Sequence, residues 1–252
     1  MNFPRVFLDT SALKAAADEI PVLVPRSSNM DFAGRPVKSP VYEPRVLYPN
    51  EKYLEEDNRD QYIDTLMLPI LAAFARKQSI SLLTHLEVEF ESWGLPRMRS
   101  LKGRFYGTPI EFTSGPFEYS RVVLNARDAT DYQYDFLRKV DHKRFLELQR
   151  GCGAFQGDDK PPHRNQLLDA WHLLCAESAK ANYFLTLDRK LLRVLSTTAR
   201  YEPRLAVITP LNLVSVLVED NPALLCILVP ETIRLAKERR ENRRNPWKAV
   251  FG

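Results

Sequence analysis

The chain has 252 residues, 44% hydrophobic and 27% charged, an ordinary globular composition that supports one large domain or two small ones. No apolar stretch approaches the ~20 residues that span a bilayer, and the opening MNFPRVFLDT lacks a signal-peptide layout, so a cytoplasmic protein without a membrane partner is expected. Three scattered cysteines without a CxxC pair exclude a disulfide framework and a cysteine zinc site, and a net charge of +4 is compatible with nucleic acid.

Residues 4–9, PRVFLD, read as a short buried strand, and TSALKAAAD starts a helix. Pro21, Pro25, Pro36, Pro40, Pro44 and Pro49 then forbid regular helix and disfavour central strands, which predicts an extended arm or inserted loop at about 20–56. Ile63, Leu66, Met67, Ile70, Leu71 and Phe74 recur at helical spacing, with Pro69 predicting a kink or break. SISLLT, 79–84, is the next strand, followed by a helix from HLEVEFESWG. A basic, Gly- and Pro-punctuated insertion occupies about 95–118, and RVVLN, 121–125, reads as a strand. A helix carrying Phe136, Leu137, Val140 and Leu148 runs to about Gly151, before the loop GCGAFQGDDKPPHRN. QLLDAWHLLCAESAKA is a helix apolar on most of its circumference, hence buried. The strand NYFLTLD, the helix RKLLRVLS, the strand LAVITP and the helix LNLVSVL complete a single domain over 1–220, with a charged extension over 221–252. Strands alternating with helices imply an α/β fold with a parallel sheet of about five strands.

In such sheets ligands bind outside the carboxyl ends of the strands. Asp9 and Asp188 each close a strand, Glu87 follows another, and Asp169 lies early in the buried helix. Each has an ordinary structural use. Asp9 and Asp188 can cap the helices that follow, Thr84 and Glu87 fit the capping box T-x-x-E, and Asp169 suits a helix dipole. An aspartate embedded among LL and AWHLL, however, needs a cation or hydrogen-bond partners. Several carboxylates on one rim repel, so one of them should have a raised pKa unless a divalent ion neutralises them. Hard oxygen ligands select Mg²⁺ or Mn²⁺.

The stretches VFLDTSAL, SLLTHLEVE, LLDAWHLLCAESAKANYFLTLDRKLL and LAVITPLNLV, in this order, resemble the PIN domain, a family of metal-dependent nucleases. The third stretch is the most specific, because an acidic helix, a strand and a T-x-D end follow one another as in that family. The resemblance covers about half the chain. It implies a three-layer sandwich around the parallel sheet and an acidic pocket holding Mg²⁺ or Mn²⁺. By motif position Asp9, Glu87, Asp169 and Asp188 match the family's acids, and Thr186 its supporting hydroxyl. Glu89 and Glu91 remain alternatives for the second acid, Glu91 sharing the helix face of Glu87. The two insertions and the extension make this chain longer than stand-alone members.

A phosphatase of the haloacid dehalogenase type needs an acid where Ser11 stands and is set aside. His172, Arg164, Arg189 and Lys190 are substrate-contact candidates near the acids. Arg97, Arg99 and Arg104 interleave with Phe105 and Tyr106, a pattern in which cations follow a backbone while rings stack on unpaired bases. The expected function is therefore divalent-metal-dependent phosphodiester hydrolysis, with single-stranded or loop RNA, the substrate the family implies, as partner. The alternatives are an inert RNA- or protein-binding scaffold and, as a biological role, the toxin of a toxin–antitoxin pair. A homodimer, an antitoxin or another protein partner is compatible with the sequence.

Overall fold

A computed structural model of the chain describes residues 3–16, 20–32, 35–47, 59–88, 105–116, 126–156, 160–197 and 201–244. Strand β1 (Arg5–Leu8) leads into α1 (Thr10–Ala15), and a hairpin of β2 (Ile20–Phe32) and β3 (Arg35–Leu47) follows. Then come α2 (Arg59–Arg76), β4 (Ser81–His85), β5 (Glu111–Thr113), α3 (Ala126–Lys139) and α4 (Lys143–Gly151). The remainder is α5 (Arg164–Ser178), β6 (Tyr183–Leu185), α6 (Arg189–Thr197), β7 (Ala206–Ile208), α7 (Pro210–Asp220), a 3₁₀ turn (Pro222–Leu224) and α8 (Leu225–Arg244). No single helix among the described residues is long and apolar enough to cross a membrane.

Five strands form one all-parallel sheet in the order β5-β4-β1-β6-β7, flanked by helices. β1 is the middle strand, so both its faces are covered, and Val6, Phe7 and Leu8 are all fully buried. That is why VFL is a continuous apolar run rather than an alternation. Phe7 stacks on Phe184 of β6, with ring centroids 5.7 Å apart and planes 10° from parallel. Burying a ring of this size stabilises by about 1.5–3 kcal/mol. Trp171 of α5 packs edge-on against Phe145 of α4 and His85 at the end of β4.

The chain runs outward from β1 to β4 and β5, then returns to the other side of β1 for β6 and β7. The order therefore reverses between β1 and β6, and parallel sheets bind their ligands at such a reversal, beyond the carboxyl ends of the strands. Asp9, which leads into α1, and the loop Thr186–Asp188 leave the sheet at this point.

Several elements differ from the sequence reading. The strand beside β4 is Glu111–Thr113, inside the expected basic insertion; it is a three-residue edge strand with little apolar signal. Residues 121–125, expected to form a strand, lie outside the described residues. A turn of successive left-handed residues, Phe105, Tyr106 and Gly107, leads towards β5. Buried Phe105 and the Arg76 guanidinium, which donates to Tyr106 O and Thr108 Oγ1 at 3.2 Å, hold it. The helix expected to end near Gly151 is two helices, because His142 turns the chain and caps α4 by accepting from Phe145 N–H. α2 runs through Pro69. Leu224 is buried, and Ile227, Leu228 and Leu235 pack on the core, so the charged extension begins as part of the domain's packing.

The proline-rich segment is a paired hairpin, a correction to the arm or loop read from its composition. The register supplies the reason. Five of the six prolines enter the pairs Pro21↔Val46, Leu23↔Pro44, Pro25↔Tyr42, Ser27↔Pro40 and Asp31↔Pro36, all of one parity, and Pro49 lies outside the described residues. None enters the alternating set that includes Val24↔Glu43 and Ser28↔Ser39. In an antiparallel pair the two parities alternate between hydrogen-bonded and open, so that second set keeps a complete ladder while prolines sit where N–H groups would face outward. Outward edges lacking donors are also poor templates for further strands. Ser28→Pro should accordingly open the hairpin, at a cost of about 3 kcal/mol, while Ser27→Pro leaves it paired. Amide hydrogen exchange across β2 and β3 would decide this; equal protection in the two variants would defeat the parity account.

Candidate functional site

Asp9 follows β1 in extended conformation (φ −76°, ψ 159°) and caps α1. Its residue is 6% exposed, so its charge needs partners. The cap bond itself, from Ser11 N–H to Oδ2, is long at 3.4 Å. Stronger donors are the Ser11 hydroxyl at 2.6 Å and the Thr186 hydroxyl at 2.8 Å, both to Oδ2. The two hydroxyl oxygens are 3.0 Å apart. Each has one hydrogen, and when both hydrogens point at Asp9 their lone pairs serve the backbone instead. Ser11 Oγ accepts from Leu187 N–H and Thr186 Oγ1 from Asp188 N–H, each at 3.0 Å. One carboxylate thus ties the end of β1 to the loop after β6.

The other oxygen, Oδ1, faces His172 Nδ1 of α5 at 3.6 Å. Burial pushes the Asp9 carboxyl up, but the His172 bond and charge, with the Ser11 and Thr186 hydroxyls, outweigh it and hold Asp9 below its ordinary range. The rise expected of one of the crowded acids is therefore not found at Asp9, whose carboxyl faces a histidine and two hydroxyls. His85, 5% exposed, is pushed down to about 4 by burial and by the His172 charge. Its Nδ1 accepts from Glu87 N–H at 3.1 Å, which fixes that nitrogen as unprotonated.

The other expected acids divide. Asp188 is half-buried and uses Oδ1 to accept from Lys190 N–H (2.8 Å) and Leu191 N–H (3.0 Å), capping α6. Thr186, fully buried, links the Asp188 N–H to the Asp9 carboxylate through its hydroxyl. Glu87 is 1% exposed and accepts from the Gln133 amide of α3 at 2.5 Å. The capping box expected of Thr84 and Glu87 gives way to other bonds: Thr84 Oγ1 donates to Leu8 O across the sheet. Asp169 is half-buried on α5. Burial and the Asp169 charge push the Cys152 thiol up, while burial and the Glu87 charge do the same to Cys175. Among the described residues no three His, Cys, Asp or Glu side chains form a ready metal-ligand group.

Of the expected substrate contacts, Lys190 is exposed beside Asp188. Arg164 donates to Asp131 at 3.0 Å and lies over the Tyr134 ring at 5.5 Å. Arg189 pairs with Asp64 of α2, which also accepts from Leu211 N–H at 2.9 Å. Arg97, Arg99, Arg104, Glu89 and Glu91 lie outside the described residues.

Sequence reasoning missed Ser11 as a partner of Asp9, and missed Asp64, His85 and Gln133. Ser11 offered a signal, a hydroxyl two residues after a strand-end acid. Asp64 offered another, a lone acid on the apolar face YIDTLM.

Comparison with known proteins returns no matching family model and no matching curated sequence.

Asp64 provides a test of the packing behind the rim. Burial raises its pKa above 3.8, against the Leu211 bond and the Arg189 charge, which lower it. A carboxyl raised on folding stabilises below its unfolded pKa and loses that contribution as pH rises through the folded value. Asp64→Asn retains the Leu211 bond and should cost under about 1 kcal/mol at neutral pH, whereas Asp64→Ala, which strands that donor, should cost about 2. In urea denaturation the parent should lose ground to Asp64→Asn as pH rises from ~3 to ~6. A constant gap across that range would remove the raised carboxyl.

Proposed function

We propose that the chain is a PIN-like, divalent-metal-dependent nuclease acting on RNA. The observation that carries this reading is the ionised, buried Asp9 at the reversal of strand order, where a parallel sheet presents its ligand crevice. Mg²⁺ binds through one or two carboxylates and keeps several waters, so it does not require three protein ligands. Asp9 and Asp188 suit it as hard oxygen donors on the two loops that flank the crevice, and Asp188 Oδ2 makes no hydrogen bond among the described residues. Asp169 and Glu87 complete the proposed acid set. When bound, the ion would activate water and stabilise the leaving oxygen of a phosphodiester.

The chain's own residues do the rest of the work in this reading. Thr186 and Ser11 fix the Asp9 carboxylate by donating to Oδ2, so Oδ1 is the oxygen with a changeable environment. His172 balances its charge from α5. Lys190, exposed next to Asp188, is placed to approach a phosphate. The same contacts favour a second reading, an RNA-binding scaffold that does not cut, since Asp9 already has a partner on each oxygen.

One substitution separates the two. Asp9→Asn keeps a carbonyl oxygen for Ser11 and Thr186 and is about as good a cap as Asp, so the melting temperature should change little. For a nuclease, cleavage in Mg²⁺ or Mn²⁺ should fall by about 10²-fold or more while RNA affinity at fixed salt persists. Equal cleavage by variant and parent would end the catalytic assignment of Asp9. No cleavage by the parent across structured and single-stranded RNA with metal present would favour the scaffold.

A further inference from the structure

A cavity of about 920 Å³ lies towards the opposite end of the sheet, lined by the first residues of β1, β4 and β6, by the whole of β5 and by the end of α5. This is the end remote from Asp9 and Thr186, and none of the candidate acids lines it. Its volume falls in the range of small-ligand sites.

Its lining combines three chemistries. Phe3 and Phe112 expose 41% and 46% of their surface, large values for a residue type that is usually buried. Arg5 and Lys180 supply cations. Glu111 and Asn182 supply polar groups. Arg5 Nη2 reaches Glu111 Oε1 at 3.5 Å, with side chains 38% and 57% exposed, a loose pair whose members can exchange partners. Asn182 is fixed in place, its Oδ1 accepting from Arg5 N–H at 2.8 Å, which leaves the amide NH₂ as a donor. Lys180 stands just past α5 in left-handed conformation (φ 54°). Bonds from Lys180 N–H to Glu177 O and from Ala181 N–H to Ala176 O, both 3.0 Å, close the helix around it.

We infer that this cavity is a nucleotide-binding site. Phe3 and Phe112 offer aromatic faces to a planar base, Arg5 and Lys180 attract the phosphate, and Glu111 and Asn182 bond the sugar hydroxyls. Inorganic phosphate would use only the cations, and a nucleoside only the rings and polar groups. A nucleoside monophosphate uses all three. The nucleotide can be free or belong to an RNA strand, and the site does not depend on the assignment of the acids.

The test is calorimetric binding to the full chain in EDTA, with adenosine and uridine monophosphates, adenosine, inorganic phosphate and a short oligoribonucleotide. The monophosphates should bind more tightly than phosphate or adenosine. Phe112→Ser should weaken them about tenfold by removing a stacking face. Lys180→Gly should weaken them about tenfold too, and it should fold well, because glycine suits the left-handed backbone. Tighter binding of the oligoribonucleotide, with competition against the monophosphate, would place the nucleotide in a strand; weaker binding would place it free in solution. The inference fails if phosphate alone binds as well as the nucleotide, or if neither cavity variant changes affinity.

Discussion

A carboxylate buried at the end of the central strand is a charge that the sheet cannot leave alone, and the surroundings of Asp9 are organised by that requirement. Its partners come from three separate parts of the chain: Ser11 on α1, Thr186 after β6 and His172 on α5. Because the two hydroxyls also accept from Leu187 and Asp188 N–H groups, the carboxylate fixes the loop after β6 as well as its own. Removing any partner would leave a buried charge short of bonds, which costs more than an ordinary hydrogen bond contributes. The same lock lies at the reversal of strand order.

Around α5 the interior is more polar than its sequence implies. His172, His85 and Glu87 are buried within one neighbourhood, bridged by the Glu87 N–H to His85 bond and the Gln133 amide. His85 remains neutral because burial and the nearby His172 charge both disfavour its protonation. The helix is therefore a support for charge as much as a packing element, with Trp171 filling the space between His85 and Phe145. A third buried acid, Asp64, does comparable work behind the rim by joining α2 to Arg189 and to the start of α7.

The hairpin of β2 and β3 shows how composition and register can point in different directions. Proline frequency argues against strands, and it would be decisive for a central strand with both sides bonded. In a two-stranded ribbon each residue has one bonded side at most, and prolines confined to one parity remove no ladder bond. The parity is visible in the spacing of Pro21 with Pro25 and of Pro36, Pro40 and Pro44, but only the pairing of the strands gives it meaning.

Local sequence determined the α/β alternation, the buried strands at VFL and YFL, the buried helix around Trp171, and the positions of Asp9, Thr186 and Asp188 at strand ends. Those features follow from short-range rules: apolar runs, helical spacing and residues that end strands. Tertiary structure alone decided that Glu111–Thr113 is the strand beside β4, since two exposed residues and one half-buried residue at a sheet edge carry almost no apolar pattern. It also decided which side chains share the crevice. Ser11 and Thr186 meet across 175 positions, His172 reaches Asp9 from another layer, and Glu87 turns to Gln133 rather than to a helix cap. Hydrogen bonds and charge pairing act over a few ångströms in space, and only the order of strands in the sheet brings these distant residues within that range.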